Sequence, residues 1–229
     1  MLFPGRLTMK YAVVYYSMTS NNRCLALRIA QELGCEAYEI KTMLKPAPLL
    51  MFLSAIRVTP GIRKPPFVIG DCDCIVMCGP IWMGMLIAPL RAFVRKYRKE
   101  IRRLCFATCC GSGDDAKLSS FGYEGVFENI RTLLNGKPVS CEAFPVELVY
   151  PDGVPPVKDA AMKTRISDAD FKGKLKERFD AFIAKVKAVN ERWFPVNRCG
   201  TIQSPCAKQS FCWNEQVVLF FNESFASLS

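Results

Sequence analysis

What most constrains this chain is a set of short apolar runs without polar alternation, separated by segments of helical periodicity. Tyr11-Ala-Val-Val-Tyr-Tyr16, Cys74-Ile-Val-Met-Cys78 and Leu104 to Cys109 are built from β-branched, aromatic and small apolar residues. A strand with one wet face alternates apolar and polar residues, whereas a strand covered on both faces does not. Cys35 to Ile40 reads as a further, shorter strand, and Val139 to Val149 holds a fifth. Amphipathic helices fall between them. One carries Leu25, Ile29 and Leu33 on a single face and stops at Gly34; the next carries Leu86, Leu90, Phe93, Val94 and Tyr97. A third runs from Tyr123 through Leu134 to a stop at Asn135-Gly136, and a last one starts near the cap Ser167-Asp168 and turns Phe171, Leu175, Phe179, Phe182, Ile183 and Val186 inward. Strand and helix in alternation predict an α/β fold with a doubly wound, five-stranded parallel sheet.

The 229 residues suit one domain with a full core, predicted over 9–195, with a C-terminal extension at 196–229 that offers only the strand-like run Val217 to Phe221. The first eight residues read as a loose extension, without the apolar stretch of a secretory signal. Leu44 to Pro66 fits neither period; rich in Pro, Leu, Met and basic residues, it stands in the place of a second helix and predicts a partly helical insertion. Its apolar stretch Leu49 to Ile56 is eight residues, too short to cross a bilayer, and no transmembrane segment is predicted.

Composition removes whole classes of chemistry. The chain has twelve cysteines and no histidine. Cys72, Cys74, Cys78, Cys105, Cys109 and Cys110 lie in or beside apolar runs, where free cysteine packs as a small hydrophobe in a reducing, cytoplasmic setting. No Cys-x-x-Cys occurs, so the spacings of zinc and iron–sulfur sites are missing and no metal is expected. Without histidine there is no Ser-His-Asp or Cys-His nucleophile, and no catalytic side chain can be named; the chemistry falls to a cofactor. The net charge of +10 sits on the first 195 residues and is densest from Arg91 to Arg103. Such a surface attracts anions, although this run can equally be a solvated helix face; no nucleic-acid motif accompanies it, and no nucleic-acid partner is expected.

In an open parallel sheet, ligands bind beyond the carboxyl ends of the strands. The first such loop holds Ser17, Met18, Thr19, Ser20, Asn21 and Asn22: hydroxyls and amides at a helix start, suited to phosphate. The rival reading is an ordinary helix cap, but five such residues in six positions favour phosphate. The loop lacks the glycines of a Walker or dinucleotide motif. The second loop, after Gly79, holds Pro80, Ile81, Trp82, Met83 and Gly84, where the indole offers either a flat face for stacking or a core tryptophan. The third holds Thr108, Cys109, Cys110, Gly111, Ser112 and Gly113, small residues that let backbone amides approach a ring edge; Cys109 and Cys110 could instead form a redox pair, against which the strain of a disulfide between adjacent residues weighs.

These loops carry a resemblance. Tyr15-Tyr-Ser-Met-Thr-Ser-Asn-Asn22 resembles the phosphate loop of the flavodoxin-like family, Ser/Thr-x-Thr-Gly-Asn-Thr, with Ser17, Thr19, Asn21 and Asn22 at matching positions, Ser20 where glycine is usual and Asn22 where threonine is usual. Gly79-Pro-Ile-Trp-Met-Gly84 is similar to the family's segment against the flavin ring, and Thr108 to Asp114 stands where the family contacts the pyrimidine side. The resemblance spans Met9 to Val189. It implies strand order 2-1-3-4-5, FMN as cofactor, and an oxidoreductase taking electrons from a nicotinamide cofactor to a quinone, flavin or similar acceptor. The alternatives are an electron-transfer module that meets a redox protein partner, and an interaction domain without FMN. Flavodoxin carriers are typically acidic, so the +10 charge favours the oxidoreductase, or a carrier with acidic partners.

Overall fold

The computed structural model describes residues 9–44, 46–150 and 163–188, so the predicted extensions at 1–8 and 196–229 lie outside the described residues. Five parallel strands form the sheet: β1 (Tyr11–Tyr15), β2 (Ala37–Glu39), β3 (Cys74–Cys78), β6 (Leu104–Cys110) and β7 (Val139–Pro145). Their spatial order is β2-β1-β3-β6-β7, which in strand rank is the predicted 2-1-3-4-5. The order reverses direction between β1 and β3, because the chain first winds outward to β2 and then crosses back. β1 pairs in register with β3 from Tyr11 opposite Cys74 to Tyr15 opposite Cys78.

Both faces of the sheet are covered, which is why its central strands needed no polar alternation. Helices α1 (Asn21–Leu33) and α5 (Gly173–Ala188) pack on one face, where Leu25, Ile29, Leu175, Phe179 and Phe182 meet Val13, Val76, Cys105 and Ala107. Helices α3 (Ala88–Tyr97) and α4 (Glu124–Leu134) cover the other face, where Leu90, Phe93, Val126 and Ile130 meet Val14, Ile75, Met77 and Phe106. Alternate residues of each strand thus serve two separate cores. The described cysteines are free thiols, and all six in or beside the apolar runs are buried. No described helix is long and apolar enough to cross a membrane.

Several boundaries differ from expectation. Leu86 belongs not to α3 but to a small antiparallel hairpin, β4 (Ile81–Trp82) with β5 (Met85–Leu86), too short to show any period. β6 runs one residue past the expected Leu104 to Cys109, on to Cys110, so the third loop begins only at Gly111. β7 ends at Pro145, and Val146–Val149 is a 3-10 turn. Ser167 caps only one 3-10 turn (Asp168–Asp170) through a reciprocal capping box with Asp170, and α5 proper begins at Gly173, whose φ of 50° breaks the helix path. The segment 44–66 does contain a helix, α2 (Ala47–Ala55).

The basic run from Arg91 to Arg103 is not wholly a solvated face. Arg91 is buried and donates from Nη2 to the Ser54 carbonyl at 3.0 Å. Arg103 is buried too, and donates to the carbonyls of Val186 and Lys185 at 3.1 Å each, neutralising the carboxyl end of α5.

Phe182 is fully buried and meets Phe144 edge-on, with ring centroids 5.9 Å apart. Phe182→Ala is expected to cost about 3–5 kcal/mol of stability in denaturant unfolding, the cost of a cavity that a sheet held on both sides cannot close.

Candidate functional site

The site is built where the strand order reverses. The sheet ladder continues one step past the strands, with the Tyr16 N–H donating to Cys78 O at 3.0 Å and the Gly79 N–H to Ala107 O at 3.2 Å. Ser17 and Pro80 therefore leave β1 and β3 together at the carboxyl edge, beside the last residues of β6, Thr108 to Cys110.

In the first loop Met18, Thr19 and Ser20 are exposed, and Ser20 adopts φ 71°, the left-handed region where glycine is at ease. Ser20 stands at the N-cap of α1 but makes no side-chain cap bond, so the helix start keeps its amides free of a side-chain cap. The Ser17 Oγ is buried and has no hydrogen-bond partner among the described residues. The two asparagines behave otherwise than predicted. Asn22 is buried; its Oδ1 accepts from the Cys109 N–H at 2.8 Å and its Nδ2 donates to the Cys109 carbonyl at 3.1 Å. Asn21 is likewise committed, donating to Thr164 O at 2.9 Å and accepting from the Ile166 N–H at 3.0 Å. Their side chains are clamps, one fixing α1 to the end of β6 and the other fixing it to the segment before α5; only their backbone amides remain for a ligand.

The second loop is the β4–β5 hairpin. Met83 (φ 47°) and Gly84 (φ 67°) form its two-residue turn, and positive φ at both positions is the geometry whose twist suits a hairpin. Met83 is strained there and 63% exposed, while Trp82 is half-buried against the α3–α4 core, so the indole is neither a fully enclosed core residue nor a free platform. A Cβ at Gly84 would stand 2.0 Å from the Ser120 carbonyl oxygen, so backbone beyond the third loop lies directly on this turn.

In the third loop Thr108 is fully buried, and its Oγ1 also lacks a partner among the described residues. Cys109 faces the α1–α5 core and Cys110 the α3–α4 core, as successive strand residues must, which rules against a redox pair. Burial pushes both thiols up, Cys110 to about 12, so neither is a thiolate near neutral pH. Gly111 is exposed; the Cys110 thiol meets Ser112 O at 3.5 Å, and Ser112 Oγ donates to Phe121 O at 3.1 Å. Gly113 is buried, and a Cβ there would approach the Glu147 carboxylate to 2.5 Å, so that side chain would have to shift.

Sequence reasoning missed the groups that hold this loop. Asp114 pairs with Arg178 of α5, and its Oδ1 accepts from the Tyr123 hydroxyl at 2.6 Å. The bond to Arg178, ahead of the Tyr123 bond and against the cost of burial, lowers the Asp114 pKa to about 2. It also missed Leu118 and Phe121, which with Met18 and Met83 of the first two loops leave large apolar side chains exposed near the site. The only sequence signal for Leu118 and Phe121 is an apolar residue inside an otherwise polar loop.

Two outcomes are expected. Asn22→Ala leaves the Cys109 N–H and carbonyl without their partner and costs about 2–3 kcal/mol, read by denaturant unfolding. Asp114 has a folded pKa below its unfolded value near 3.8, so the stability it adds is complete above that value and is lost as pH falls toward about 2. Asp114 is 45% exposed, so screening keeps the effect to about 1 kcal/mol or less. The melting-temperature gap between the parent and Asp114→Asn should therefore close as pH is lowered from 5 to 2.

No family model matches the chain. A curated relative, an uncharacterised protein of Archaeoglobus fulgidus, is 28% identical over 110 residues, which are 47% of this chain and 70% of the relative. Among solved structures, a flavoprotein of Lactobacillus acidophilus in complex with FMN aligns over 59% of this chain and 93% of its own, with TM-score 0.49 and 14% identity. The NAD(P)H:quinone oxidoreductase of Methanothermobacter marburgensis aligns over 78% and 96%, with TM-score 0.45 and 14% identity. The FMN-bound flavodoxin of Fusobacterium nucleatum aligns over 79% and 99%, with TM-score 0.42 and 10% identity. A parallel sheet in the order 2-1-3-4-5, with helices on both faces and its loops gathered at the strand-order reversal, is the flavodoxin-like fold, and this chain has it.

Proposed function

We propose that the chain is an FMN-binding oxidoreductase that passes electrons from a nicotinamide cofactor to a quinone, flavin or similar acceptor. The observation that carries this reading is a helix start with no side-chain cap beside a buried, unpartnered hydroxyl, Ser17 Oγ, at the point where the strand order reverses. A buried hydroxyl without a partner is a cost that a bound phosphate would remove, and helix amides favour an anion. The residues present therefore fit the cofactor.

In this reading Ser17 and Thr19 donate hydroxyl hydrogen bonds to the phosphate, joined by backbone amides from Met18 to Asn22. Trp82, with Pro80, Ile81, Met83 and Gly84, presents apolar surface to the ring and keeps water from it. Thr108 to Gly113 supply the pyrimidine side, where the Thr108 hydroxyl is free and the exposed backbone at Gly111 leaves room for close approach. Cys109 and Cys110 line the strand as neutral thiols and take no part in proton transfer. FMN, when bound, supplies the hydride and single-electron chemistry that a chain without histidine does not offer from its side chains. The +10 charge draws an anionic dinucleotide toward the protein. We assign the flavin domain to 9–195, the remainder to an extension, and the whole to the cytoplasm.

The test is anaerobic titration of the flavin-loaded protein with NADH and NADPH: rapid bleaching of the visible flavin band supports the enzyme, and none from either donor counts against it. The double variant Ser17→Ala/Thr19→Ala should lose at least tenfold in FMN affinity, since each bond to a charged phosphate is worth about 1.5–3 kcal/mol. Without FMN the same variant should melt no lower than the parent, because one hydroxyl is exposed and the other unpartnered.

A further inference from the structure

The segment between β2 and β3 makes no contribution to the parallel sheet, yet it is firmly built. Its neck is closed by an antiparallel bridge between Thr42 and Ile62, where the Met43 N–H donates to Gly61 O and the Arg63 N–H to Lys41 O, each at 2.9 Å. Lys96 of α3 donates to Ile62 O at 3.2 Å. At the far end, α2 closes in a Schellman motif, with Val58 N–H bonded to Leu53 O at 3.0 Å and Arg57 in the left-handed region. The buried Ser54 hydroxyl accepts the first amide of α3, from Ala88, at 2.8 Å, while buried Arg91 holds the Ser54 carbonyl. Leu50 and Ser54 are the buried residues of α2.

The outer side of α2 has no partner among the described residues. Phe52 is 59% exposed, and Leu49, Met51, Ile56 and Val58 are exposed with it, followed by Met43 at the neck. Large apolar side chains gathered on one exposed helix mark an interaction surface. Its charge says what kind. From Ile40 to Gly70 the sequence holds Lys41, Lys45, Arg57, Arg63 and Lys64 and not one carboxylate. Arg57 and Arg95 stand close enough to Arg91 to add to the effect of burial in lowering its pKa. Beside the neck, Lys41, Arg63 and Lys64 border a cleft of 530 Å³ floored by Val14, Ile40 and Phe93, with Glu39 its one acidic lining residue.

We propose that α2 and these cations form a docking surface for an anionic phospholipid bilayer, with Leu49, Met51, Phe52 and Ile56 entering the interface and Lys41, Arg57, Arg63 and Lys64 meeting the headgroups. Exposed apolar side chains on an element too short to span, with lysine and arginine before and after it along the chain, are the makings of interfacial binding. The described surface of α2 offers no polar side chain, since its lone hydroxyl is spent on Leu50 and α3, whereas protein interfaces ordinarily carry several hydrogen bonds. The chain's own residues beyond Pro195 are electrically neutral and do not complement five cations.

The test is co-sedimentation of the full-length protein with phosphatidylcholine vesicles, with and without phosphatidylglycerol. Binding is expected only to the anionic vesicles, and it should weaken as salt is raised. Arg63→Gln/Lys64→Gln should lower partitioning about fivefold for each charge removed. Leu49→Gln/Phe52→Gln should lower it tenfold or more while leaving the melting temperature within a degree or two, because both side chains are exposed. Absent binding, or equal binding to neutral vesicles, overturns the proposal. A protein that is dimeric without vesicles and becomes monomeric in Leu49→Gln/Phe52→Gln overturns it in favour of a second copy. A melting temperature lowered by several degrees in that variant, with no vesicle binding, overturns it in favour of cover by the chain's own carboxyl-terminal residues.

Discussion

The three central strands of this protein have no face that water could reach. β1, β3 and β6 carry apolar or small side chains to both sides of the sheet, so neither face can be left open without exposing a core. Covering both faces while keeping strands parallel requires crossover connections, with α1 and α5 on one side of the sheet and α3 and α4 on the other. The chain starts in the middle of the sheet, winds outward to β2, and returns past β1 to continue through β3, β6 and β7. At that reversal the connections leave in opposite directions, and a crevice opens between the loops that follow β1, β3 and β6. The position of the candidate site is thus a consequence of how the sheet is buried.

What fixes the crevice in detail is a set of polar ties that the core cannot supply. Asn22 joins α1 to β6 through both backbone groups of Cys109, and Asn21 joins the same helix start to the segment before α5. Asp114 holds the third loop to α5 through Arg178. These ties leave Ser17, Thr19 and Thr108 as the hydroxyls without a stated structural task, and the backbone at Ser20 and Met83 in conformations that L-residues adopt at a cost of about 1–2 kcal/mol each.

The sequence was legible where one physical rule acted alone. Cys74–Cys78 is read to the residue, because burial on both faces suppresses alternation and Gly79-Pro80 ends the run. Gly34 and Asn135 end their helices in the left-handed region, as their side chains allow. Reading failed where a distant partner decided the outcome. Asn21 and Asn22 have the composition of a cap or a phosphate site, but their partners lie 143 and 87 positions away along the chain, beyond any local pattern. The β4–β5 hairpin is two residues long on each side, less than one period of anything. Thr108 and Cys109 read both as the end of a strand and as the head of a loop, because small and sulfur-bearing residues suit both a turn and a strand squeezed between two cores. α2 was recognised as out of place, but its exposed face could not be foreseen, since an apolar helix is ordinarily a buried one.

The central claim is that the first loop holds a phosphate and the neighbouring loops a flavin ring. It is tested most directly by calorimetric titration of the flavin-free protein with FMN and, separately, with riboflavin, which has the same ring and no phosphate. The account predicts that FMN binds at least a hundredfold more tightly, about 2.7 kcal/mol or more, the worth of one to two charge-assisted hydrogen bonds. Equal affinity for the two, or heat from neither, would contradict it.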